Sequence, residues 1–188
     1  WRMLVECLSV GRAISLPSTA AGGCRMGVAA TGAYARIRKQ FQMPIGRFEG
    51  IEEALARVGG YTYAIGALSR MTAHAVDQGE KPAVPSAIAK YHATEMGREI
   101  IKDAMDIHAG KGVILGPRNY LGRAWEGAPI SITVEGANIL TRSMIIYGQG
   151  AIRCHPYVQD EIESIAAGDL AKFDAALFGH INFVATCG

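Results

Sequence analysis

The sequence predicts an all-α fold: an antiparallel four-helix bundle with a short additional helical segment. Two observations carry this. Apolar residues recur at steps of three and four through most of the chain, and no run shows the period of two that a half-buried strand requires. Proline and glycine clusters punctuate the helical period and divide it into long segments. With 188 residues, 49% apolar and 19% charged, the chain can bury one sizeable core and lacks the low hydrophobicity of a disordered segment.

Taken in order, residues 1–15 read as a short helix that stops near Pro17, because proline pushes the residue before it out of helical angles. Ser18 then serves as the N-cap of a second helix to about Lys39, rich in small residues such as Ala20, Gly23, Gly27 and Ala30. An interior glycine costs about 1 kcal/mol of helix propensity and is tolerated where another helix or a ligand comes close. After a connector containing Pro44, Ile51, Leu55, Val58, Thr62, Ile65, Leu68 and Thr72 keep helical steps in a segment that runs to about Gly79. Pro82 and Pro85 separate it from a helix over residues 86–108, ended by Ala109 and Gly110. Residues 110–129 read as irregular, 130–134 as a β-branched run and 138–152 as the fourth long helix. Beyond Pro156, residues 159–163 and 170–183 suggest further helix. Helices of about 20–30 residues are about 30–45 Å long and bury their apolar stripes well side by side.

Composition excludes several functions. A formal net charge of +2 and the lack of a Lys/Arg block give no field suited to nucleic acid. No uncharged apolar run reaches the roughly 18 residues of a transmembrane segment. Cys7, Cys24, Cys154 and Cys187 are far apart and read as reduced, mostly buried thiols of a cytoplasmic protein. No Glu-x-x-His pair of a di-iron bundle occurs, and His74, His108, His155 and His180 lack a metal-spaced partner, so no metal is expected and surface or capping roles are. Gly110-Lys111-Gly112 lacks the third glycine of a dinucleotide fingerprint and reads as a helix-ending turn whose amides could still meet a phosphate. The chain opens on Trp1 without a signal peptide and reads as a piece of a longer protein.

The informative segment is Ile130-Ser131-Ile132-Thr133-Val134-Glu135-Gly136-Ala137-Asn138. One carboxylate stands in a β-branched stretch before a helix, followed by a glycine that permits close backbone approach. Burial there would raise the Glu135 pKa toward that of a general base. The plainer alternative is that Glu135 caps the fourth helix.

Three motifs in order bear on that choice. Arg38-Lys39-Gln40-Phe41-Gln42-Met43-Pro44-Ile45 resembles a signature of the acyl-CoA dehydrogenases, Asp106-Ile107-His108-Ala109-Gly110-Lys111-Gly112 resembles their glycine turn, and Val134-Glu135-Gly136-Ala137-Asn138 resembles their catalytic motif. The match covers residues 1–153, the family's C-terminal helical domain. Residues 133–142 and 148–157 are similar to the bacterial long-chain subfamily of fatty-acid β-oxidation, and residues 154–188 then resemble the start of its C-terminal extension. The resemblance implies that Glu135 removes the α-proton of an acyl-CoA substrate while hydride leaves the β-carbon for FAD. It implies cofactor contacts from Arg38, Gln40, Phe41, Asp106, Gly110 and Asn138, the first three to the FAD of a neighbouring subunit. Arg12 and Gly136 match substrate-side positions. It further implies a homo-oligomer, dimer or tetramer, with electron-transferring flavoprotein or an equivalent as acceptor, in the cytoplasm or peripheral to the inner membrane. Asp106 and Glu49 stand where the family carries glutamine, and Ala137 where it carries threonine. The family's flavin-binding middle domain has no counterpart here, so the chain alone is expected to be inactive and to hold FAD weakly. The alternatives are an acyl-CoA oxidase-like domain and a non-catalytic helical oligomerisation module.

Overall fold

A computed structural model describes residues 2–187 and divides them into two units, one ending at Thr141 and one beginning at Arg142. In the first unit, helix α1 (Arg2–Ile37) is followed by strands β1 (Lys39–Gln40) and β2 (Met43–Pro44) and a 3₁₀ turn, Ile45–Arg47. Helices α2 (Glu49–Asp77) and α3 (Ala83–His108) come next, then α4 (Gly110–Val113), α5 (Leu121–Thr133) and α6 (Asn138–Leu140). Helices α1, α2 and α3 pack on one another and α5 lies along α3, so the all-α bundle is present. Its fourth member is α5. Residues 138–152 form one short α-turn and then a π-helix over Thr141–Ala151, in place of the expected long α-helix. Gly148 and Gly150 lie in that stretch and weaken its α-helical preference.

Helix α1 does not stop at Pro17. Proline removes the N–H that would reach the carbonyl four residues back, that of Ala13. The Thr72 hydroxyl of α2 donates to that carbonyl at 2.7 Å, so the helix runs on with its orphaned acceptor satisfied by a neighbour. Pro17 and Thr72 are both fully buried.

The core is a seam of Ala21 and Cys24 from α1, Val58 and Ile65 from α2, and Ala93 and Ile100 from α3. A second cluster joins Ala35, Ile45 and Ile107 at the cleft end. Arg57 clamps α2 to α3 with two hydrogen bonds to Asp103, at 2.7 and 3.0 Å. Close approach does not account for most glycines of α1. An added Cβ at Gly22, Gly23 or Gly32 meets nothing within 4 Å, and at Gly27 it meets Ile100 at an ordinary 3.7 Å. Close contact is real at Gly46 and Gly112, where a Cβ would lie 3.2 Å from the Ala35 carbonyl oxygen and 3.1 Å from that of Met105.

Of the four thiols only Cys24 is buried; Cys7, Cys154 and Cys187 are exposed, contrary to expectation. Burial pushes the Cys24 thiol up to about 11.

The second unit holds α7 (Ile152–Cys154), α8 (Val158–Ala167) and α9 (Leu170–Cys187), with α8 and α9 packed as a hairpin. Gly168 ends α8 in the left-handed conformation such a C-terminus favours. His155 Nδ1 accepts from the Tyr157 and Val158 amides, a capping role, and His180 Nδ1 bonds Glu161 at 2.8 Å. No described helix is long and apolar enough to cross a membrane, and no cluster of three metal-ligating side chains occurs among the described residues.

Candidate active site

Glu135 occupies the turn between α5 and α6, with a positive φ of 53°, next to Gly136 at 96°. A non-glycine residue in this region is strained by roughly 1–3 kcal/mol and persists where the surroundings over-determine it. The surroundings here are explicit. The Lys90 ammonium of α3, 0% exposed, donates to the carbonyls of Ile132 at 3.0 Å and Gly136 at 2.8 Å and to Asn138 Oδ1 at 2.6 Å. Thr141 Oγ1 adds a bond to the Gly136 carbonyl at 3.0 Å.

The Glu135 side chain turns outward. It is exposed, and the β-branched neighbours expected to bury it are exposed too, Ile130 at 65% and Val134 at 41%. The expected burial of Glu135 is therefore absent in this chain, because α5 continues through Thr133 and directs part of that apolar run to the surface. Nor does Glu135 cap α6, which has no side-chain cap. Its two oxygens instead accept from Ser15 Oγ of α1 at 2.9 and 3.0 Å. One turn earlier on α1, half-buried Arg12 donates to the Ala83 carbonyl at 2.9 Å and to Ser86 Oγ at 3.2 Å at the start of α3. Burial lowers the Arg12 pKa and the Glu135 charge opposes that shift.

Arg38, Gln40 and Gly110 line one cleft of about 760 Å³, together with Tyr34, Lys111 and Arg118. The Lys111 ammonium lies 5.4 Å above the Tyr34 ring, which stacks on His108 with centroids 4.2 Å apart. Three cations beside an aromatic floor suit an anionic, ring-bearing ligand. Phe41 does not line this cleft. It sits 89% exposed at the β1–β2 turn, where it and Gln42 both have positive φ, as a two-residue hairpin loop of the primed type requires. Asp106 is exposed on α3 and also outside the cleft lining; its carbonyl accepts from the Ala109 amide. Asn138, expected against cofactor, is 3% exposed, and its amide donates to Thr94 Oγ1 at 2.9 Å and Glu95 Oε1 at 2.8 Å. Its hydrogen-bonding groups are spent inside the bundle.

His108 was expected at the surface or a cap and is buried at the floor of the cleft. Its Nδ1 pairs with the Ala104 carbonyl and its Nε2 with the Tyr120 hydroxyl, both at 2.8 Å, the pattern of a neutral ring protonated at Nδ1. Burial chiefly, then the Lys111 charge, hold its pKa below 6.5. The unfolded chain takes up a proton first as pH falls, so this residue's contribution is complete above about pH 6.5 and is lost below it. Ring-proton NMR should find His108 less than half protonated at pH 6.5, and denaturation midpoints should decline as pH falls below that. A half-titrated ring at pH 6.5 contradicts this.

Sequence reasoning missed Lys90, Ser15, Lys111 and Arg118. Nothing near Lys90 marks it, since its partners lie more than forty positions away. Lys111 lay inside the glycine motif and was legible as a charge beside free amides.

The sequence model described as the C-terminal domain of acyl-CoA dehydrogenase matches residues 1–149. The chain belongs to the acyl-CoA dehydrogenase family. The model of the family's bacterial-type C-terminal region matches residues 152–187. Among curated relatives, the 3-(aryl)acrylate reductase of Clostridium sporogenes is 37% identical over 142 residues, covering 75% of this chain and 37% of the relative. Among solved structures, a glutaryl-coenzyme A dehydrogenase in complex with glutaryl-CoA is 27% identical with a TM-score of 0.72, covering 81% of this chain and 38% of that one. Butyryl-CoA dehydrogenase from Megasphaera elsdenii is 25% identical with a TM-score of 0.72, covering 79% and 38%. The chain thus spans well under half the length of these family members.

Proposed function

We propose that this chain supplies the catalytic base of a FAD-dependent acyl-CoA dehydrogenase that forms the trans-2,3 double bond of long-chain acyl-CoA thioesters in fatty-acid β-oxidation. In this reading residues 1–153 are the helical domain and 154–188 the start of a C-terminal extension. The observation that carries the proposal is the seat of Glu135: a strained backbone fixed from behind by buried Lys90, with the carboxylate turned outward on Ser15.

The carboxylate accepts the α-proton of the thioester. Ser15 Oγ, bonded to both oxygens, holds it in one rotamer and can rotate to accept when one oxygen becomes protonated. Arg12, adjacent on α1, places a positive charge near that carboxylate. Gly136 gives the thioester room beside the chain. Arg38, Lys111 and Arg118 fit the pyrophosphate of FAD from a neighbouring subunit of a dimer or tetramer. FAD, when bound, supplies the acceptor for the β-hydride and passes electrons to electron-transferring flavoprotein or an equivalent. The reading places the enzyme in the cytoplasm or peripheral to the inner membrane.

The 37% identity to a reductase favours a second reading, in which protonated Glu135 delivers its proton to the α-carbon of an unsaturated thioester. The full-length protein should be assayed with butyryl-, octanoyl- and palmitoyl-CoA against an artificial oxidant, and with cinnamoyl-CoA against a reduced dye. Long-chain dehydrogenation predicts a kcat/KM for palmitoyl-CoA about tenfold above that for butyryl-CoA, a discrimination of about 1.4 kcal/mol. The opposite order defeats the chain-length assignment. Cinnamoyl-CoA reduction without acyl-CoA oxidation selects the second reading.

A further inference from the structure

We propose that Lys90 is a positioning residue for the base: one sealed ammonium pins the Glu135 turn from both sides. The inference rests on Glu135 being the base. Lys90 lies on α3, 0% exposed, in a helix whose neighbouring positions pack as ordinary core: Ala87, Ala89 and Ala93 are all fully buried. An ammonium has three donors and no acceptor. Three acceptors meet it, and their positions along the chain are telling: Ile132 is three residues before Glu135, Gly136 one after and Asn138 three after. One side chain therefore brackets the base.

Asn138 closes the arrangement. Its oxygen accepts from Lys90 while its amide donates to Thr94 and Glu95, four and five residues further along the same helix. Thr94 Oγ1 in turn donates to the Lys90 carbonyl at 2.8 Å. The turn is anchored to two successive turns of α3, which explains how a glutamate is held at positive φ without glycine's freedom. The residue type is specific. Methionine has the length and no donor, so the Ile132 carbonyl, the Gly136 carbonyl and Asn138 Oδ1 would each lose the bond Lys90 donates. Arginine's planar fork does not point donors in three tetrahedral directions.

Burial chiefly, then the Arg12 charge, lower the Lys90 pKa, and Glu135 and Glu95 oppose that shift. Arg12 from α1 and Lys90 from α3 both feel the Glu135 charge. A lysine that only stabilises the bundle would move stability and leave kcat and the turn's dynamics where they are.

The test compares full-length wild type with Lys90→Met, Asn138→Ala and Glu135→Gln. Lys90→Met should speed amide exchange at residues 132–141 about tenfold or more, with α2 peptides (residues 49–77) within about twofold of wild type. It should lower kcat about thirtyfold for the fastest acyl-CoA of the panel with KM within about threefold, because misplacing a reacting group by 1 Å costs on the order of a hundredfold. Exchange or kcat within twofold of wild type overturns the proposal, and faster exchange with unchanged kcat does so equally, leaving a structural lysine. Should Lys90→Met not fold, Asn138→Ala decides by the same readouts at about a third of the effect. If Glu135→Gln turns over at the wild-type rate, the base assignment fails by itself, and exchange at 132–141 still shows whether Lys90 holds the turn.

Discussion

Glu135→Gln in the full-length protein should lower the rate of acyl-CoA oxidation by about 10²–10⁴-fold, the usual contribution of a positioned general base. The amide is nearly isosteric and cannot take the proton. Its oxygen still accepts from Ser15 Oγ, and the contacts that shape the turn run from Lys90 and Thr141 to backbone, so the seat survives the change. Flavin content and the dissociation constant for acyl-CoA should stay within a few-fold of wild type. Stopped-flow bleaching of the flavin separates the chemical step from binding. A bleaching rate near wild type refutes the assignment, whereas loss of bound flavin would instead show that the variant damaged the site.

Thr72→Val should destabilise the protein by about 1–3 kcal/mol, the range for leaving a buried acceptor unpaired. Pro17 sits inside α1 and deprives the Ala13 carbonyl of its helical donor, and the Thr72 hydroxyl replaces it from α2 at 2.7 Å. Valine keeps the volume and removes the donor. Pro17→Ala restores an N–H for that carbonyl, so in the Pro17→Ala background Thr72→Val should cost about 1 kcal/mol less, a coupling readable by a double-mutant cycle. Equal costs in both backgrounds would show that Thr72 does not serve Ala13.

Much of this architecture was legible along the chain. The steps of Ile51, Leu55, Val58, Thr62 and Ile65 locate α2, and the prolines at 82 and 85 and the Ala109-Gly110 turn bracket α3. The order of three motifs brought Arg38, Gln40 and Gly110 to attention, and the fold sets them around one cleft. Other features were misread for identifiable reasons. Pro17 looked like a stop because a local rule cannot see a hydroxyl fifty-five residues away. Asn138 looked like a ligand contact because its motif resembles a ligand-binding one, yet its amide is committed to α3. Glu135 looked buried because β-branched neighbours suggest an interior, whereas α5 presents part of that run outward.

The sequence by itself determined the all-α class and the membership of the acyl-CoA dehydrogenase family, and it singled out the Glu135 carboxylate, because periodicity and short motifs are properties of neighbours in the chain. Only the tertiary structure decided what holds that carboxylate in place. Ser15 and Lys90 reach the Glu135 turn by hydrogen bonds and Arg12 by its charge, across 120, 45 and 123 residues, and contacts between such distant positions leave no period or spacing in the sequence to read.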